Sequence, residues 1–427
     1  MSRIKDELVL YREIPFGELF TDMCGLIESD RKDSATAYSC ANRLVEFACH
    51  YGMQGNLWHC LIAFVLAEHE NAFSKGCEMK GADDSTVSAF ARHDFEIFRG
   101  LMKIPFNGMF GDDISETLCA QLSDFSCRED NSKVYNKRVR DRICELAAEL
   151  AAAENVDTFF DAVSGFYRDF GVGKYGLNKA FRIVHEVGEE AYLRPITLTE
   201  HVRFSDLQGY EAQKAKLIEN TEAFLAGKPA NNCLLFGDAG TGKSSSVKAL
   251  LNEYYDKGLR MVEVYKYQFA DLSLIINEVK DRNYKFIIFM DDLSFEEFEI
   301  EYKYLKAIIE GGLEKKPDNV LIYATSNRRH LIRENFKDKE ERDEDMHIND
   351  TVQEKLSLVY RFGVSIYYGR PTPKEFREIV DKIAVDNHID MPREKLYELA
   401  NQWELSHGGL SGRTARQFIM HLKGTEA

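Results

Sequence analysis

The segment Gly237-Asp-Ala-Gly-Thr-Gly-Lys-Ser244 follows the pattern G-x-x-x-x-G-K-[ST] at every fixed position. The apolar run 233–236 precedes it and predicts a buried strand, and residues 243–255 have the pattern of a helix. Glycines let backbone N–H groups converge on oxygen ligands, and a helix N-terminus adds partial positive charge. A chance glycine loop before a helix is the alternative, but this order of strand, loop and helix favours a phosphate-binding loop.

This loop predicts a role for each of its residues. We expect its backbone to surround the phosphates, Lys243 to reach the β- and γ-phosphates as a catalytic group, and the Ser244 hydroxyl to bind Mg²⁺. The predicted ligands are therefore ATP and Mg²⁺. The candidate nucleotide-binding residues of the loop are Gly237, Asp238, Ala239, Gly240, Thr241, Gly242, Lys243, Ser244 and Ser245.

A second motif, Phe286-Ile-Ile-Phe-Met-Asp-Asp292, is an apolar strand that ends in two carboxylates. Open α/β sheets present ligand groups at the carboxyl ends of their strands. We expect Asp291 to hold Mg²⁺ together with Ser244, and Asp292 to orient or deprotonate the attacking water. A strand followed by an acidic turn is the alternative, and the pattern gains its weight from the phosphate loop that precedes it.

Around these motifs, short β-rich runs alternate with amphipathic segments. Strands that alternate with helices predict a parallel sheet with helices on both faces. The predicted strands are 233–236, 261–265, 286–290, 320–323 and 364–368. We therefore predict an α/β core over residues 191–370, followed by a small helical subdomain over 371–427, where only helical patterns occur.

Residues 1–190 predict a helical N-terminal domain, because apolar side chains recur at helical spacing in segments such as 37–48 and 58–66. Gly171-Val-Gly-Lys-Tyr-Gly176 fits the dinucleotide pattern G-x-G-x-x-G, which requires a preceding strand. Residues 159–170 have a helical pattern instead. A glycine turn between helices is therefore favoured over a cofactor loop.

Composition restricts the classes of partner and the compartment. The 427 residues predict two domains, and a net charge of −16 disfavours nucleic acid and anionic membranes as partners.

The longest apolar run, 60–67, is too short to cross a bilayer. Eight of the nine cysteines lie in the first 144 residues without a Cys-x-x-Cys pair, which indicates buried thiols in a reducing compartment, the cytoplasm.

Taken in order, the motifs resemble those of the AAA+ ATPases from about residue 195 to the end. Val320-Leu-Ile-Tyr-Ala-Thr-Ser-Asn327 resembles the sensor-1 strand, which implies that Asn327 contacts the attacking water or the γ-phosphate. Leu356-Ser-Leu-Val-Tyr-Arg-Phe362 resembles the arginine-finger segment, which implies that Arg361 reaches the nucleotide of a neighbouring subunit. The alternatives are a helix cap for Asn327 and a surface position for Arg361.

Two further segments belong to the same resemblance. Gly409-Leu-Ser-Gly-Arg-Thr-Ala-Arg416 resembles sensor 2, which implies a catalytic role for Arg413, with Arg416 as the second choice. Phe204-Ser-Asp-Leu-Gln-Gly-Tyr210 resembles the segment that flanks the adenine, which adds Tyr210 to the nucleotide-binding residues. Between the strands, residues 264–271 contain three aromatics where threading motors have a pore loop. The favoured interpretation is that Phe269 and Leu272 pack the next helix onto the sheet.

More narrowly, the chain resembles the bacterial AAA+ family known as domain of unknown function 815. The similar segments are Asp206-Leu-Gln-Gly-Tyr-Glu-Ala-Gln213, residues 349–358 with Arg361-Phe-Gly363, and Ser411-Gly-Arg-Thr-Ala-Arg-Gln-Phe418. The resemblance implies ATP hydrolysis after a helical N-terminal part, and it names no substrate. The chain departs from AAA+ motors by Asp-Asp instead of Asp-Glu after the acidic strand, and Asp292 is one methylene shorter than glutamate.

Three functional hypotheses follow. The first is an AAA+ ATPase that couples its nucleotide state to oligomer assembly or to remodelling of a protein partner, with Arg361 acting between subunits and the N-terminal helices binding the partner. The second is a slow-turnover nucleotide-binding adaptor, for which Asp292 is the motivating feature. The third is a DNA-associated loader, which the acidic composition disfavours.

Overall fold

The computed structural model of the chain divides into two compact units, formed by residues 1–179 with 195–199 and by residues 180–194 with 200–427. The residues that it describes are 3–30, 32–112, 114–126, 137–186, 188, 190–293, 301–310, 317–327 and 361–425. None of the helices in these ranges has the length and apolar content needed to span a bilayer.

The first unit is helical, as predicted. Its helices are α1 (Arg3–Glu7), α2 (Gly17–Glu28), α3 (Ser34–Tyr51), α4 (Leu57–Glu68), α5 (Ala72–Lys80), α6 (Thr86–Met102), α7 (Phe106–Phe110), α8 (Glu116–Ser123), α9 (Lys137–Ala152), α10 (Val156–Phe170) and α11 (Gly173–Leu177).

Helix α4 lies at the centre of this unit. Almost every residue from Leu57 to Ala67 is buried, so the helix is apolar on all sides rather than on one stripe. The Asn56 side chain accepts hydrogen bonds from the backbone N–H groups of Trp58 and His59 and so defines its first residue. The motif at 171–176 follows helix α10, not a strand, and Gly171 (φ 76°) ends that helix, which confirms the predicted turn.

Within the described residues, the second unit contains a sheet of seven strands. Its strands are β1 (Ala180–Val184), β2 (Tyr192–Pro195), β3 (Cys233–Gly237), β4 (Leu259–Glu263), β5 (Lys285–Met290), β6 (Val320–Ser326) and β7 (Val364–Tyr368). The spatial order is β2-β1-β4-β5-β6-β3-β7. The neighbouring pairs β1-β4, β4-β5, β5-β6, β6-β3 and β3-β7 are parallel. All the predicted strands are confirmed, within three residues at their ends.

Strands β1 and β2 were not predicted, and the expectation that residues 1–190 are helical is wrong from Ala180 onward. A five-residue run such as Ala180–Val184 is too short for periodicity to separate a strand from a helix. Its hydrogen-bond partner is β4, where Ala180 is in register with Met261. The pairing therefore depends on residues far along the chain.

Among the described residues of this unit, helices cover the sheet. They are α12 (Glu211–Leu225), α13 (Lys243–Tyr254), α14 (Leu272–Val279) and α15 (Glu301–Glu310), followed by α16 (Pro373–Asp386), α17 (Arg393–Ser406) and α18 (Gly412–Thr425). The last three form a separate apolar cluster around Phe376, Val380 and Ile419. The predicted fold class, a parallel α/β sheet with a C-terminal helical subdomain after a helical N-terminal part, is confirmed.

Strand register places three motif ends side by side. Phe236 of β3 is in register with Ser326 of β6, and Met290 of β5 is in register with Ala324 of the same strand. Parallel strands present their carboxyl ends at one edge. The phosphate loop, the acidic pair and Asn327 therefore emerge at the same edge of the sheet.

Candidate functional site

The loop after β3 is shaped by three glycines with positive φ, namely Gly237, Gly240 and Gly242. Gly237 has φ 134°, and a Cβ on it would lie 2.1 Å from the carbonyl oxygen of Tyr368. Gly242 (φ 91°) precedes α13, whose N-terminus receives no side-chain cap from any described residue. The first amide N–H groups of a helix need an acceptor, and an anion can provide it. The loop therefore has the geometry of an anion-binding turn.

Lys243 lies inside this loop. Its ammonium donates hydrogen bonds to the carbonyl oxygens of Gly237 (3.1 Å) and Asp238 (2.6 Å) and to Oδ1 of Asn327 (3.0 Å). Burial lowers the pKa of Lys243, and the nearby carboxylates, Asp238 first, oppose that shift. A cation held among oxygen acceptors at a helix N-terminus is well placed to bind phosphate.

Ser244 and Asp291 meet across the site. Ser244 Oγ donates a hydrogen bond to Asp291 Oδ1 at 2.5 Å, and Thr325 Oγ1 donates to the same oxygen at 2.6 Å. Hydroxyl and carboxylate oxygens are the hard donors that Mg²⁺ prefers, so this pair fits the expected metal. Among the described residues, no cluster of three or more His, Cys, Asp or Glu side chains could hold a metal.

Asp292 and Asn327 form the second pair of the site. Asn327 Nδ2 donates a hydrogen bond to Asp292 Oδ1 at 2.7 Å, so Asn327 bridges the Lys243 ammonium and the Asp292 carboxylate. Asp292 has φ 51°, a left-handed conformation that costs a non-glycine residue about 1 kcal/mol or more. Its backbone N–H donates to Thr325 Oγ1 at 2.9 Å, which helps to hold this conformation.

The helical subdomain closes the other side of the site. The backbone N–H of Arg413 donates to the Gly240 carbonyl at 3.2 Å, and a Cβ on Gly240 would lie 2.9 Å from Ser411 Oγ. The loop and the start of α18 thus enclose, with other segments, a cavity of about 700 Å³. The predicted residues that line it are Tyr210, Gly240, Thr241, Gly242, Lys243, Ser244, Ser245, Asp291, Asp292, Asn327 and Arg413, with Arg416.

Tyr210 lines the cavity and has a left-handed backbone conformation. It has φ 60°, its hydroxyl donates to the Gly369 carbonyl at 2.7 Å, and its ring packs against that of Tyr368 at 5.1 Å. Burial raises the pKa of Tyr210 to about 12. The hydroxyl therefore serves to hold the segment 204–210 against the end of β7, and the same segment adds Asp206 to Gly209 to the wall.

The remaining predicted residues lie outside the cavity wall. Gly237 and Asp238 contribute carbonyl oxygens to Lys243, whereas Ala239 is exposed in the loop. Arg361 precedes the amino end of β7, while Gly237 pairs with Tyr368 at the carboxyl end. Arg361 is therefore at the opposite edge of the sheet from the loop. Residues 349–358, part of the family resemblance, lie outside the described residues.

Two contacts of the site were not predicted from the sequence. Thr325 forms hydrogen bonds to the Asp291 carboxylate and to the Asp292 backbone. Side chains two residues apart in a strand lie on the same side, so the position of Asn327 would have identified Thr325. Arg370 donates its backbone N–H to Asp238 Oδ2 at 3.1 Å, with Nε 3.4 Å from Oδ1. No sequence signal marks that pair, because the two residues are joined only by the pairing of β3 with β7.

The aromatic segment after β4 has both buried and exposed members. Phe269 and Leu272 are buried, which confirms the favoured packing interpretation. Tyr265 and Tyr267 are 45% and 75% exposed, and their rings stack in parallel at 5.9 Å.

The profile of a family described as "Protein of unknown function (DUF815)" matches residues 177–426, more than half of the chain. No curated protein matches the sequence. Among solved structures, the Thermotoga maritima RuvB Holliday junction branch migration motor is similar at 14% identity and a TM-score of 0.37, over 52% of this chain and 64% of that one. The FIGL-1 AAA domain in complex with ADP is similar at 17% identity and a TM-score of 0.36, over 52% and 73%. This chain thus spans less than two thirds of the RuvB chain, and these likenesses carry no inference about its substrate.

Proposed function

This chain belongs to the DUF815 family, and from the geometry of its site we propose that it binds and hydrolyses Mg-ATP. The observation that carries the proposal is the contact between Ser244 and Asp291, made beside the Lys243 ammonium at an uncapped helix N-terminus. A hydroxyl, a carboxylate and an ammonium on two neighbouring loops are the groups that a triphosphate with Mg²⁺ requires.

Each group has a defined task in this proposal. Lys243 and the first amides of α13 bind the phosphate oxygens, and Ser244 and Asp291 hold Mg²⁺, which when bound neutralises phosphate charge. Asp292 orients the attacking water and accepts its proton, with Asn327 positioning that carboxylate at 2.7 Å. Arg413 reaches the phosphates from the helical subdomain, and the segment ending at Tyr210 lies against the base.

We further propose that the chain works as a homo-oligomer in which Arg361 completes the site of a neighbouring subunit. Its position at the amino end of β7 supports this, since the loop is at the carboxyl end. Nucleotide state would then be coupled to assembly or to remodelling of a protein partner that the N-terminal helices bind. None of the described cysteines forms a disulfide, which supports a cytoplasmic location.

The test is nucleotide binding and steady-state ATPase on the full chain, with Lys243→Ala and Asp291→Asn as site variants. Lys248→Ala is a matched control, because Lys248 is on the same helix α13 but pairs with Glu200 outside the cavity. We expect Mg-ATP hydrolysis in wild type and control, and a loss of about 100-fold or more in the site variants. Equal rates in all four proteins would refute the proposal.

A slow-turnover nucleotide switch is the second candidate function, and the contact between Asp292 and Asn327 favours it. The short carboxylate is already engaged by the amide, and its strained backbone limits how far it can move toward a water. Asp292→Glu restores the longer side chain of AAA+ motors. Faster turnover in this variant supports the switch, whereas slower turnover shows that aspartate is an adequate base.

A further inference from the structure

Two cysteine thiols converge in the helical N-terminal unit. Cys60 Sγ lies 3.3 Å from the carbonyl oxygen of Gln54, and Cys144 Sγ lies 3.8 Å from the same oxygen. The two thiols are also close enough to hydrogen-bond to each other. Two thiols from α4 and α9 that share one acceptor are in position to react together.

The helices that carry these thiols pack against each other. Three of the buried residues at helical spacing from the cysteines are alanines, namely Ala63 and Ala67 on α4 and Ala147 on α9, and they lie beside the larger Leu57 and Phe64 of α4. Small side chains allow helix axes to approach closely. Close backbones are what a disulfide requires, because its Cα atoms must lie within about 7 Å of each other.

The two thiols differ in access and in acidity. Cys60 is buried, whereas Cys144 is half-buried. A hydrogen bond from the Cys60 thiol lowers the pKa of Cys144 to about 7, with a smaller contribution from Arg140, while the same interaction raises the pKa of Cys60. The accessible thiol is thus the one that ionises near neutral pH, and thiolates are the reactive form.

We propose that Cys60 and Cys144 are an oxidisable thiol pair that peroxide converts to a disulfide between α4 and α9. The Cys144 thiolate attacks a peroxide oxygen, the O–O bond breaks, and hydroxide leaves, which gives the sulfenic acid. The Cys60 sulfur then attacks the Cys144 sulfur, the S–O bond breaks, and hydroxide leaves with the Cys60 proton as water. In sum, two thiols lose two electrons and two protons, and one hydrogen peroxide becomes two waters.

The experiment treats the reduced, folded full chain with stoichiometric hydrogen peroxide, then counts thiols after denaturation and maps peptides by mass spectrometry. We expect the thiol count to fall by two, from nine to seven, with one peptide pair linked through Cys60 and Cys144. In Cys60→Ser, Cys144 stops at the sulfenic acid, which dimedone traps. Cys49→Ser is the matched control, because Cys49 is an exposed cysteine of the same unit, and it should form the linked pair as wild type does.

A second arm oxidises the chain in urea, where the native approach of the two helices is lost and pairing should become unselective. The proposal is overturned if folded wild type gives no peptide pair linked through Cys60 and Cys144. It is equally overturned if the linked pair forms to the same extent in urea, since the folded geometry would then have no part in it.

Discussion

The hydroxyl of Ser244 lies 2.5 Å from a carboxylate oxygen of Asp291, although the two residues are 47 positions apart in the chain. Ser244 is in the first turn of α13, and Asp291 directly follows β5. They meet because β3 and β5 are both neighbours of β6 in the sheet. The contact joins the phosphate loop to the acidic strand in one oxygen-rich site.

Thr325→Val should weaken the site although Thr325 is not expected to touch the nucleotide. Its hydroxyl donates to Asp291 at 2.6 Å and accepts from the Asp292 backbone N–H at 2.9 Å. Loss of such an orienting contact lowers metal affinity by about 10- to 100-fold. The measurement is the Mg²⁺ concentration that gives half-maximal ATPase. Thr325→Ser keeps the hydroxyl and should stay near wild type, and a similar shift in both variants would contradict this role.

Gly237→Ala should destabilise the second unit strongly. A Cβ at Gly237 would lie 2.1 Å from the Tyr368 carbonyl oxygen, and neither backbone can move without breaking the pairing of β3 with β7. We expect a loss of about 3 kcal/mol or more in the free energy of unfolding, measured by denaturant titration. Gly227→Ala is the control, because Gly227 also has positive φ (68°) but open space around it, and it should cost about 1 kcal/mol. Equal losses would show that the close approach does not matter.

Arg413→Ala should reduce ATP hydrolysis more than Arg416→Ala. Both residues line the cavity, but only the backbone of Arg413 is bonded to the phosphate loop, through Gly240 at 3.2 Å. A cation whose backbone is fixed there stabilises developing phosphate charge, and its loss should lower kcat about 100-fold. Steady-state kinetics on the two variants decide the assignment. A larger loss for Arg416→Ala would make it the sensor instead.

Arg361→Ala should abolish ATPase if this arginine completes the site of a neighbouring subunit, as proposed above. ATP binding should stay intact, because Arg361 lies at the amino end of β7, away from the cavity of its own chain. Mixing this variant with Lys243→Ala should restore part of the activity, since a Lys243→Ala subunit can donate its arginine to a site that retains its lysine. The assay is ATPase against mixing ratio. Activity that stays at the sum of the separate variants would argue against action between subunits.

The alkylation rate of Cys144 by iodoacetamide should rise with pH through a midpoint of about 7, below the ordinary thiol value of 9.0. The sign follows from the lowered pKa, because the reactive thiolate is already present above pH 7. Cys60→Ala removes the hydrogen-bond donor, so burial should then move the midpoint upward. Cys60→Ser keeps a donor and should keep a low midpoint. Peptide mass spectrometry reads the rates, and identical midpoints in both variants would contradict the assigned cause.

Local patterns were sufficient for much of the fold. The apolar runs around Leu234 and Ile288 predicted buried strands, and the glycine loop with Lys243 and Ser244 predicted an anion site. These features depend on neighbours in the chain, which explains why they could be predicted. The short strand β1 was missed because its hydrogen-bond partners are in β4.

The amino-acid sequence by itself thus determined which chemical groups the candidate site contains, namely a lysine, a serine hydroxyl and carboxylates in loops that follow strands. Strand order and register specified the contacts, such as Thr325 on Asp291, Arg370 on Asp238 and Arg413 on Gly240. The physical reason is that backbone propensity and turn geometry act over a few residues. Sheet pairing and helix packing, in contrast, bring together residues that are far apart in the sequence. The local sequence around each of them does not indicate that they are in contact.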